Sequence, residues 1–343
     1  MGKYITERQR YEIECYLKLG KKAPEIAKLV GKCERTIYYE LNRGKTGQLD
    51  TQLREKTVYL ADVAQRKYEE NRTAKGAKLK IGNDISFAGH VEYMIKEMKY
   101  SPYAVLQDIK NRGLQFATSI CTTTLYSYID KGIFLTVGNA DLPAKRQPKK
   151  QQYKRTVALK NLKGTSIEQR PPGVLDRETY GHWEMDTVVG PQGKGRECLL
   201  VLSERSLRDE IIIRLKNKKS ESVVRALDRM ERELGTRRFR ETFKTITMDN
   251  GVEFLDFKGI ETGHRNKKKP RTKAYYCHPY SSWERGTNEN TNRLIRRFIP
   301  KGARIEDYTD GELQYIQNWI NNYPRKILGG MSANMKKEQP VTA

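Results

Sequence analysis

The sequence predicts a multidomain fold in which two all-α units precede an α/β domain, and three observations support this prediction. Its 343 residues suffice for two or three domains. Short helical patterns fill the first 133 residues, and one segment within them occurs twice. Apolar runs typical of strands begin at residue 182 and lead into an amphipathic helical pattern. We therefore expect helical units first and a sheet-containing domain second.

Changes in composition and turn content set the predicted boundaries. The segment 48–78 is polar with helical residues, which predicts a connecting helix that passes into a flexible linker. The predicted segments are an N-terminal helical unit at 1–47, a helical linker at 48–85, a second helical unit at 86–133, a basic linker at 134–172, an α/β domain at 173–310, and a C-terminal helix with its tail at 311–343.

The charge points to a polyanionic partner. The chain has 66 lysines and arginines against 42 acidic residues, a net charge of +24 and a pI near 9.7. No apolar run approaches the roughly 18 residues of a membrane-spanning helix. These features favour nucleic acid over a membrane surface.

The cysteines and the N-terminus bear on location. Five cysteines are scattered without any CxxC pair, which supports neither a disulfide framework nor a zinc ribbon. The first ten residues lack the apolar core of a signal peptide. We expect a cytoplasmic protein.

The N-terminal unit has the pattern of a helix-turn-helix. Thr6 is placed to cap a first helix, Pro24 begins a second, and 33–44 forms a third that ends at Gly44. On the third helix Ile37 and Leu41 supply the buried side. The candidate DNA contacts are Glu34, Arg35, Tyr39 and Arg43. The alternative is a small helical bundle without a ligand.

An internal repeat predicts a second helix-turn-helix. The segment 121–132 aligns without gaps to 33–44 at an offset of 88, and each follows a helix that starts with proline. The offset places Thr122 and Thr123 at the positions of Glu34 and Arg35, so they are further candidate DNA contacts. A duplicated structural bundle is the alternative.

Two aspartates occupy unusual places in strand patterns. Asp186 lies within the run HWEMDTVVG (182–190), and Asp249 ends the run TITMD before an Asn-Gly turn. An Asp inside an apolar strand is costly unless something compensates its charge. A shared Mg²⁺ would compensate both carboxylates.

A third carboxylate lies in a cation-rich stretch, 276–302. If this stretch is helical from Trp283 onward, Leu294, Ile295 and Phe298 share one face. The opposite face carries Glu289, Asn292, Arg293, Arg296 and Arg297. An acid among bases suits a metal-dependent nuclease, in which the carboxylate holds a divalent cation and the bases hold a phosphodiester. A salt-bridged surface helix is the alternative.

Together these motifs resemble those of the DDE transposases of bacterial insertion sequences, within the insertion-sequence-thirty family. The resemblance rests on W-E-x-D, on D-N-G-x-E-F and on H-P-Y-S-S-W-E-R-G-x-N-E-N-x-N, in this order. It implies a ribonuclease-H-like, retroviral integrase-like catalytic domain with the triad Asp186, Asp249 and Glu289. Between Asp249 and Glu289 lie 39 residues, several more than is typical of the family, so Glu284 remains a rival third ligand.

The resemblance also implies the chemistry. Two divalent ions, Mg²⁺ or Mn²⁺, would assist DNA cleavage and strand transfer at the ends of the element. The partners would be double-stranded DNA, as terminal inverted repeats and target, and further copies of the chain in a dimer or higher oligomer at the nucleoid. The residues that would position DNA strands are Arg285, Asn288, Asn292, Arg293 and Arg296. The alternatives are a catalytically inactive DNA-binding regulator and a nuclease without strand transfer.

Two basic segments are candidate phosphate contacts. The linker 139–164 includes Lys149 and Lys150, and the loop 261–273 includes Lys267, Lys268 and Lys269. Their charge density favours contact with the DNA backbone without base recognition. Solvated loops are the alternative.

Overall fold

The chain forms two compact units, residues 1–79 and 80–343. The computed structural model describes residues 4–49, 51–73, 79–142, 164–191, 195–264, 267, 269–279 and 281–339. Within these ranges no helix has both the length and the apolar character that crossing a bilayer requires.

The first unit contains helices and one hairpin. Its elements are α1 (Glu7–Lys18), α2 (Ala23–Val30), α3 (Glu34–Gly44), β1 (Lys45–Leu49), β2 (Glu55–Tyr59) and α4 (Ala61–Thr73). The first three helices follow the sequence prediction because their ends are set locally. Thr6 caps α1 by accepting the amide of Gln9, and Gly31 ends α2 in the left-handed conformation.

The segment predicted as a connecting helix is different in the structure. Residues 45–49 and 55–59 pair as the antiparallel strands β1 and β2, and helix in the described part of this segment is confined to α4. The helical prediction is therefore wrong for residues 48, 49 and 55–59. It failed because these strands are mostly exposed and carry no alternation of apolar residues. Helix α4 is also more than a linker, since its Ala61 and Ala64 are completely buried.

The second unit combines helices with a five-stranded sheet. Its helices are α5 (Ile85–Lys96), α6 (Pro102–Arg112), α7 (Thr122–Asp130), α8 (Ser220–Leu234), α9 (Thr236–Thr242), α10 (Phe257–Glu261), α11 (Gly286–Ile295), α12 (Asp310–Asn322) and α13 (Ala333–Glu338). Its strands are β3 (His182–Val189), β4 (Cys198–Glu204), β5 (Glu210–Leu215), β6 (Thr245–Met248) and β7 (Lys273–Tyr276).

The sheet confirms the predicted fold class. Its strand order is β5-β4-β3-β6-β7, with antiparallel pairing from β3 to β5 and parallel pairing from β3 to β7. Three consecutive antiparallel strands followed by parallel additions match the ribonuclease-H-like arrangement that the motifs implied. The first three strands pair antiparallel through short connections, whereas the parallel strands require helical crossovers.

Helices α5 to α7 pack into the same core as the C-terminal part of the chain. One hydrophobic cluster contains Met94 and Leu125 from these helices together with Ile295 and Trp319. The Trp319 indole N–H donates to the Met98 carbonyl at 2.8 Å. The described residues of segment 86–133 therefore share a core with α11 and α12.

A buried ion pair in the first unit gives a stability prediction. The Arg10 and Glu40 side chains, 1% and 2% exposed, are 2.7 Å apart. Replacing Glu40→Ala leaves the buried guanidinium unpaired, so we expect a loss of about 3–5 kcal/mol in the unfolding free energy of this unit. Hydrogen exchange of α1 and α3 amides in the full chain measures it.

The matched control is Glu12→Ala, because Glu12 pairs with an Arg8 side chain that is 90% exposed. We expect this variant to change the unfolding free energy by no more than about 0.5 kcal/mol. Equal exchange rates in the two variants would contradict the role assigned to the buried pair.

Candidate active site

Asp186 and Asp249 come from neighbouring parallel strands. Strand β3 pairs with β6 through Trp183 and Ile246 and through Glu184 and Thr247. Asp186 lies two residues beyond the last paired position on β3, and Asp249 directly follows the end of β6. Because parallel strands direct their carboxyl ends to the same edge, the two carboxylates lie side by side.

One arginine joins the two carboxylates. The Arg285 Nη1 lies 3.3 Å from Asp186 Oδ1, and its Nη2 lies 2.9 Å from Asp249 Oδ2. Burial alone would lower the pKa of Arg285, but the charges of Asp186 and Asp249 raise it above its usual value. The guanidinium thus occupies the position where a cation can neutralise both acids.

Helix α11 adds an amide to this pair. The Asn292 Nδ2 donates to Asp186 Oδ2 at 2.8 Å, while its buried Oδ1 has no partner among the described residues. An unpaired buried oxygen is costly and suits a ligand that the chain itself does not supply. Carboxylate and amide oxygens are the type of hard donor that Mg²⁺ and Mn²⁺ prefer.

A buried glutamate fixes α11 against the sheet. Glu184, completely buried on β3, accepts the backbone amides of Thr287 and Asn288 at 3.0 and 3.1 Å. Its other oxygen accepts from Arg205 at 2.8 Å. A carboxylate at a helix N-terminus satisfies otherwise unpaired amides and complements the helix dipole. The motif W-E-x-D contained this residue, but the sequence analysis gave it no role.

The third carboxylate lies apart from the other two. Glu289 is 56% exposed and pairs with Arg293 at 2.5 Å, one turn further along α11. Glu289 and Asn292 are three residues apart and therefore neighbours on the helix surface. Within the described part of the chain, no group of three or more acidic, histidine or cysteine side chains is arranged to hold a metal ion.

The rival carboxylate is held by other groups. Glu284 is 18% exposed, accepts the backbone amide of His278 at 2.9 Å and lies 2.8 Å from His278 Nδ1. These contacts restrain its side chain, whereas Glu289 has only a surface pair to break.

A buried glutamate, Glu253, lies four residues after Asp249. Glu253, buried in the turn after β6, accepts from the Thr187 hydroxyl at 2.6 Å and pairs with Lys218 at 3.2 Å. Thr187 directly follows Asp186, so Glu253 links the two aspartate-bearing segments. The motif D-N-G-x-E-F contained this residue as well.

The residues predicted to contact DNA from α11 and the turn after it differ in how exposed their side chains are. Arg293 is exposed, and Arg296 is half-buried with Nη2 donating to the Val189 carbonyl at 3.0 Å. Asn288 is 1% exposed and packs beside Ser203, so in this conformation its side chain cannot contact DNA. The predicted faces of the helix are otherwise confirmed, since Leu294 and Ile295 are buried.

The first predicted recognition helix presents an exposed pair. Arg35 and Tyr39 on α3 are exposed, with the Arg35 Nη2 donating to the Tyr39 hydroxyl at 3.2 Å. Glu34 is also exposed, whereas Arg43 is half-buried and paired with Glu40. The α3 surface therefore offers Glu34, Arg35 and Tyr39 to a partner.

The sequence repeat corresponds to a structural repeat. Cys33 and Cys121 occupy the N-cap positions of α3 and α7, and each thiol contacts the threonine hydroxyl three residues later. Thr123 is exposed and Thr122 half-buried at the start of α7. The connection before α7, residues 113–121, is much longer than 31–33 before α3, so the second unit lacks the tight turn of the first.

Part of the predicted basic surface lies outside the described residues. Lys149, Lys150 and Lys268 are among them. Lys267 and Lys269 are described and exposed.

Comparisons with known proteins show what the chain is similar to. No model of a known protein family matches the chain. It is 33% identical to the probable transposase for insertion-like sequence element IS1161 of Streptococcus salivarius, over 99% of this chain and 96% of the relative. It is 30% identical to the transposase for insertion sequence element IS4351 of Bacteroides fragilis, over 99% and 97%. It is 38% identical to the transposase InsI for IS30A of Escherichia coli K12, over 49% and 40%.

Solved structures give weaker matches. A chain in the simian T-cell lymphotropic virus intasome with a PP2A regulatory subunit matches at TM-score 0.38 and 14% identity, over 74% of this chain and 76% of that chain. The catalytic core domain of BIV integrase matches at TM-score 0.32 and 16% identity, over 46% and 93%.

The contacts of His278 give a pH prediction. Hydrogen bonds with Glu284 and then Glu168 raise the pKa of His278 above its usual value. These contacts therefore stabilise the fold below the ordinary pKa of histidine and are lost as the pH rises through the raised value. We expect Glu284→Gln to lower the pKa of His278 in an NMR titration. Glu289→Gln, the control, should leave it in place, and an unchanged pKa in Glu284→Gln would disprove this assignment.

Proposed function

The chain belongs to the transposases of bacterial insertion sequences, and from that premise we propose that Asp186, Asp249 and Glu289 carry its DNA cleavage and strand transfer. As a DDE-type transposase it acts on the mobile element that encodes it. The proposal for the site rests mainly on one observation, the Arg285 guanidinium shared by Asp186 and Asp249. A position that already holds one cation between two carboxylates suits another cation.

We propose Mg²⁺ or Mn²⁺ as that cation, two ions in the complete site. When bound, such ions stabilise both the attacking and the leaving oxygen of a phosphodiester displacement. Asp186, Asp249 and the Oδ1 of Asn292 would hold them, with Glu289 joining after it leaves Arg293. Glu289 is the better third ligand, because its surface pair costs at most about 1 kcal/mol to break.

The remaining side chains position DNA. Arg285, once released from the carboxylates, can hold a phosphate through two parallel N–H groups, and Arg293 is similarly free after Glu289 moves. Asn292 keeps Asp186 oriented through its Nδ2. Glu184 holds α11 on the sheet throughout, so that these groups keep their relative positions.

The reaction has two steps at this site. A water oxygen attacks the phosphorus at the element's end, the P–O3′ bond breaks, and the departing 3′ oxygen receives a proton. That 3′-OH then attacks a phosphorus of target DNA, and the target strand's own 3′ oxygen leaves. Both steps are in-line displacements and need no oxidant or nucleotide.

The partners follow from the same proposal. The exposed face of α3 would read the terminal inverted repeats, and copies of the chain would assemble on the paired ends as a dimer or higher oligomer. The site of action would be the bacterial cytoplasm, at the nucleoid.

Carboxylate substitutions test the catalytic assignment. We expect Asp186→Asn, Asp249→Asn and Glu289→Gln each to reduce cleavage of end DNA by at least about a hundredfold, because each removes a charge that the reaction needs. Binding to the same DNA in a gel shift should persist, since α3 is unchanged. Cleavage is measured with Mg²⁺ on labelled end DNA.

Glu284→Gln separates the two candidates for the third ligand. It should retain cleavage, and loss in this variant with retention in Glu289→Gln would transfer the role to Glu284. Joined donor-target products from the unaltered chain distinguish a transposase from a nuclease. Binding without any cleavage would identify an inactive regulator.

The basic loop gives a salt-dependence prediction. Replacing Lys267, Lys268 and Lys269 with alanine should weaken binding about equally on all sequences. If the three side chains contact phosphates, the slope of log affinity against log salt falls by up to about 3, at roughly 0.9 for each contact. A slope equal to that of the unaltered chain, or a loss confined to one sequence, would leave the loop as a solvated insertion.

A further inference from the structure

A large cleft beside α11 carries a strong excess of positive charge. Its volume is about 1890 Å³, above the roughly 300–1,000 Å³ of small-molecule sites, so a polymer fits it better than a metabolite. Among the described residues that line it, ten are lysines or arginines and three are acidic. The lining comes from the end of α5, from α11 and from the turn after α12, and it includes Glu289 and Asn292.

One lining cation is buried without a direct ion pair. Arg208, 5% exposed, donates from Nη1 to the Thr287 hydroxyl at 2.7 Å, and its Nε has no partner. No carboxylate in the described chain forms an ion pair with it. Burial, followed by the charge of Arg177, lowers the pKa of Arg208 to about 10. The Glu184 carboxylate, which accepts from the same Thr287 hydroxyl at 3.0 Å, opposes this shift only in part, so an anion in the cleft would add compensation.

Backbone strain is concentrated on the same lining. Four non-glycine residues in the described ranges have positive φ, and three of them are Lys99, Arg177 and Arg208, with φ of 57°, 58° and 61°. All three line the cleft. Glycine would adopt this conformation without strain, so a lysine or arginine at these positions makes the fold less stable than glycine would. Residues held in such conformations cluster at functional sites.

We propose that this cleft binds the phosphodiester backbone of one DNA strand and guides it past Glu289 toward Asp186. The inference rests on the proposed function, and it adds a binding surface on α5, on the β4–β5 turn and on the segment after α12. Recognition is by charge, because arginine and lysine side chains bind phosphate oxygens regardless of base. We infer a DNA strand as the ligand because the cleft is large and because Glu289 lies in its wall.

Strain and charge together supply the test. The double variant Lys99→Gly/Arg177→Gly removes two cleft cations and at the same time relieves two strained positions. We expect a melting temperature equal to or above that of the unaltered chain, with weaker DNA binding. A misfolded protein could not give that combination.

Binding is measured by fluorescence anisotropy of a labelled single-stranded oligonucleotide in EDTA, over a series of salt concentrations. The slope of log affinity against log salt should fall by about 1.4, at roughly 0.7 for each contact on a single strand. Lys110→Ala/Lys258→Ala is the charge-matched control, since both side chains are exposed and outside the cleft. Leu53→Gly is the strain control, because Leu53 is the fourth residue with positive φ.

The outcomes separate this proposal from the proposed function. If the salt slope of the cleft variant equals that of the charge control, the proposal that the cleft binds DNA is refuted, even if the unaltered chain cleaves and joins DNA. Displacement of the oligonucleotide by inorganic phosphate at millimolar concentration would make the cleft a free-phosphate site and also overturn it. A lowered slope with an unaltered chain that does not cleave would support the cleft while refuting the catalytic proposal.

Discussion

The geometry of the site depends on the buried carboxylate of Glu184. It lies two residues before Asp186 on β3, so both side chains project from the same face of the strand. By accepting the first amides of α11, Glu184 sets where that helix begins. Asn292 therefore reaches Asp186, and Glu289 lies on the same side of the helix. A shift of α11 by one residue would remove both relations, because each residue turns the helix by about 100°.

The four acids around this site are each close to an arginine of the chain. Asp186 and Asp249 share Arg285, Glu184 pairs with Arg205, and Glu289 pairs with Arg293. The proposed catalytic carboxylates are thus compensated by cations of the chain itself, one of them shared, which offsets the desolvation cost of the partly buried acids. The Glu184 pair is buried, whereas the Glu289 pair is exposed and costs little to break.

Local sequence signals predicted the secondary structure well, but they did not predict the contacts between residues far apart in the chain. Thr6, Pro24 and the apolar runs at 182–190 and 245–249 specify their elements through neighbours in the chain, so these predictions are confirmed. The hairpin of β1 and β2 was missed because its mostly polar strands show no alternation of apolar residues. The two contacts of Arg285 join residues 36 and 99 positions apart, and no periodicity in the sequence encodes such a pair. The sequence motifs did contain Glu184 and Glu253, although only the three-dimensional structure reveals what these residues contact.

Under the proposed function, the pairing of acids with arginines links DNA binding to cation binding. A phosphate that draws Arg285 away leaves Asp186 and Asp249 as two neighbouring negative charges, and a divalent ion then gains more by binding there. Conversely, an ion bound between the aspartates frees Arg285 for a phosphate. Such linkage is reciprocal, so each ligand strengthens the other by the same factor. In the absence of DNA the arginines keep the carboxylates compensated, and the free chain therefore has a weaker site for the ion than the chain bound to its substrate.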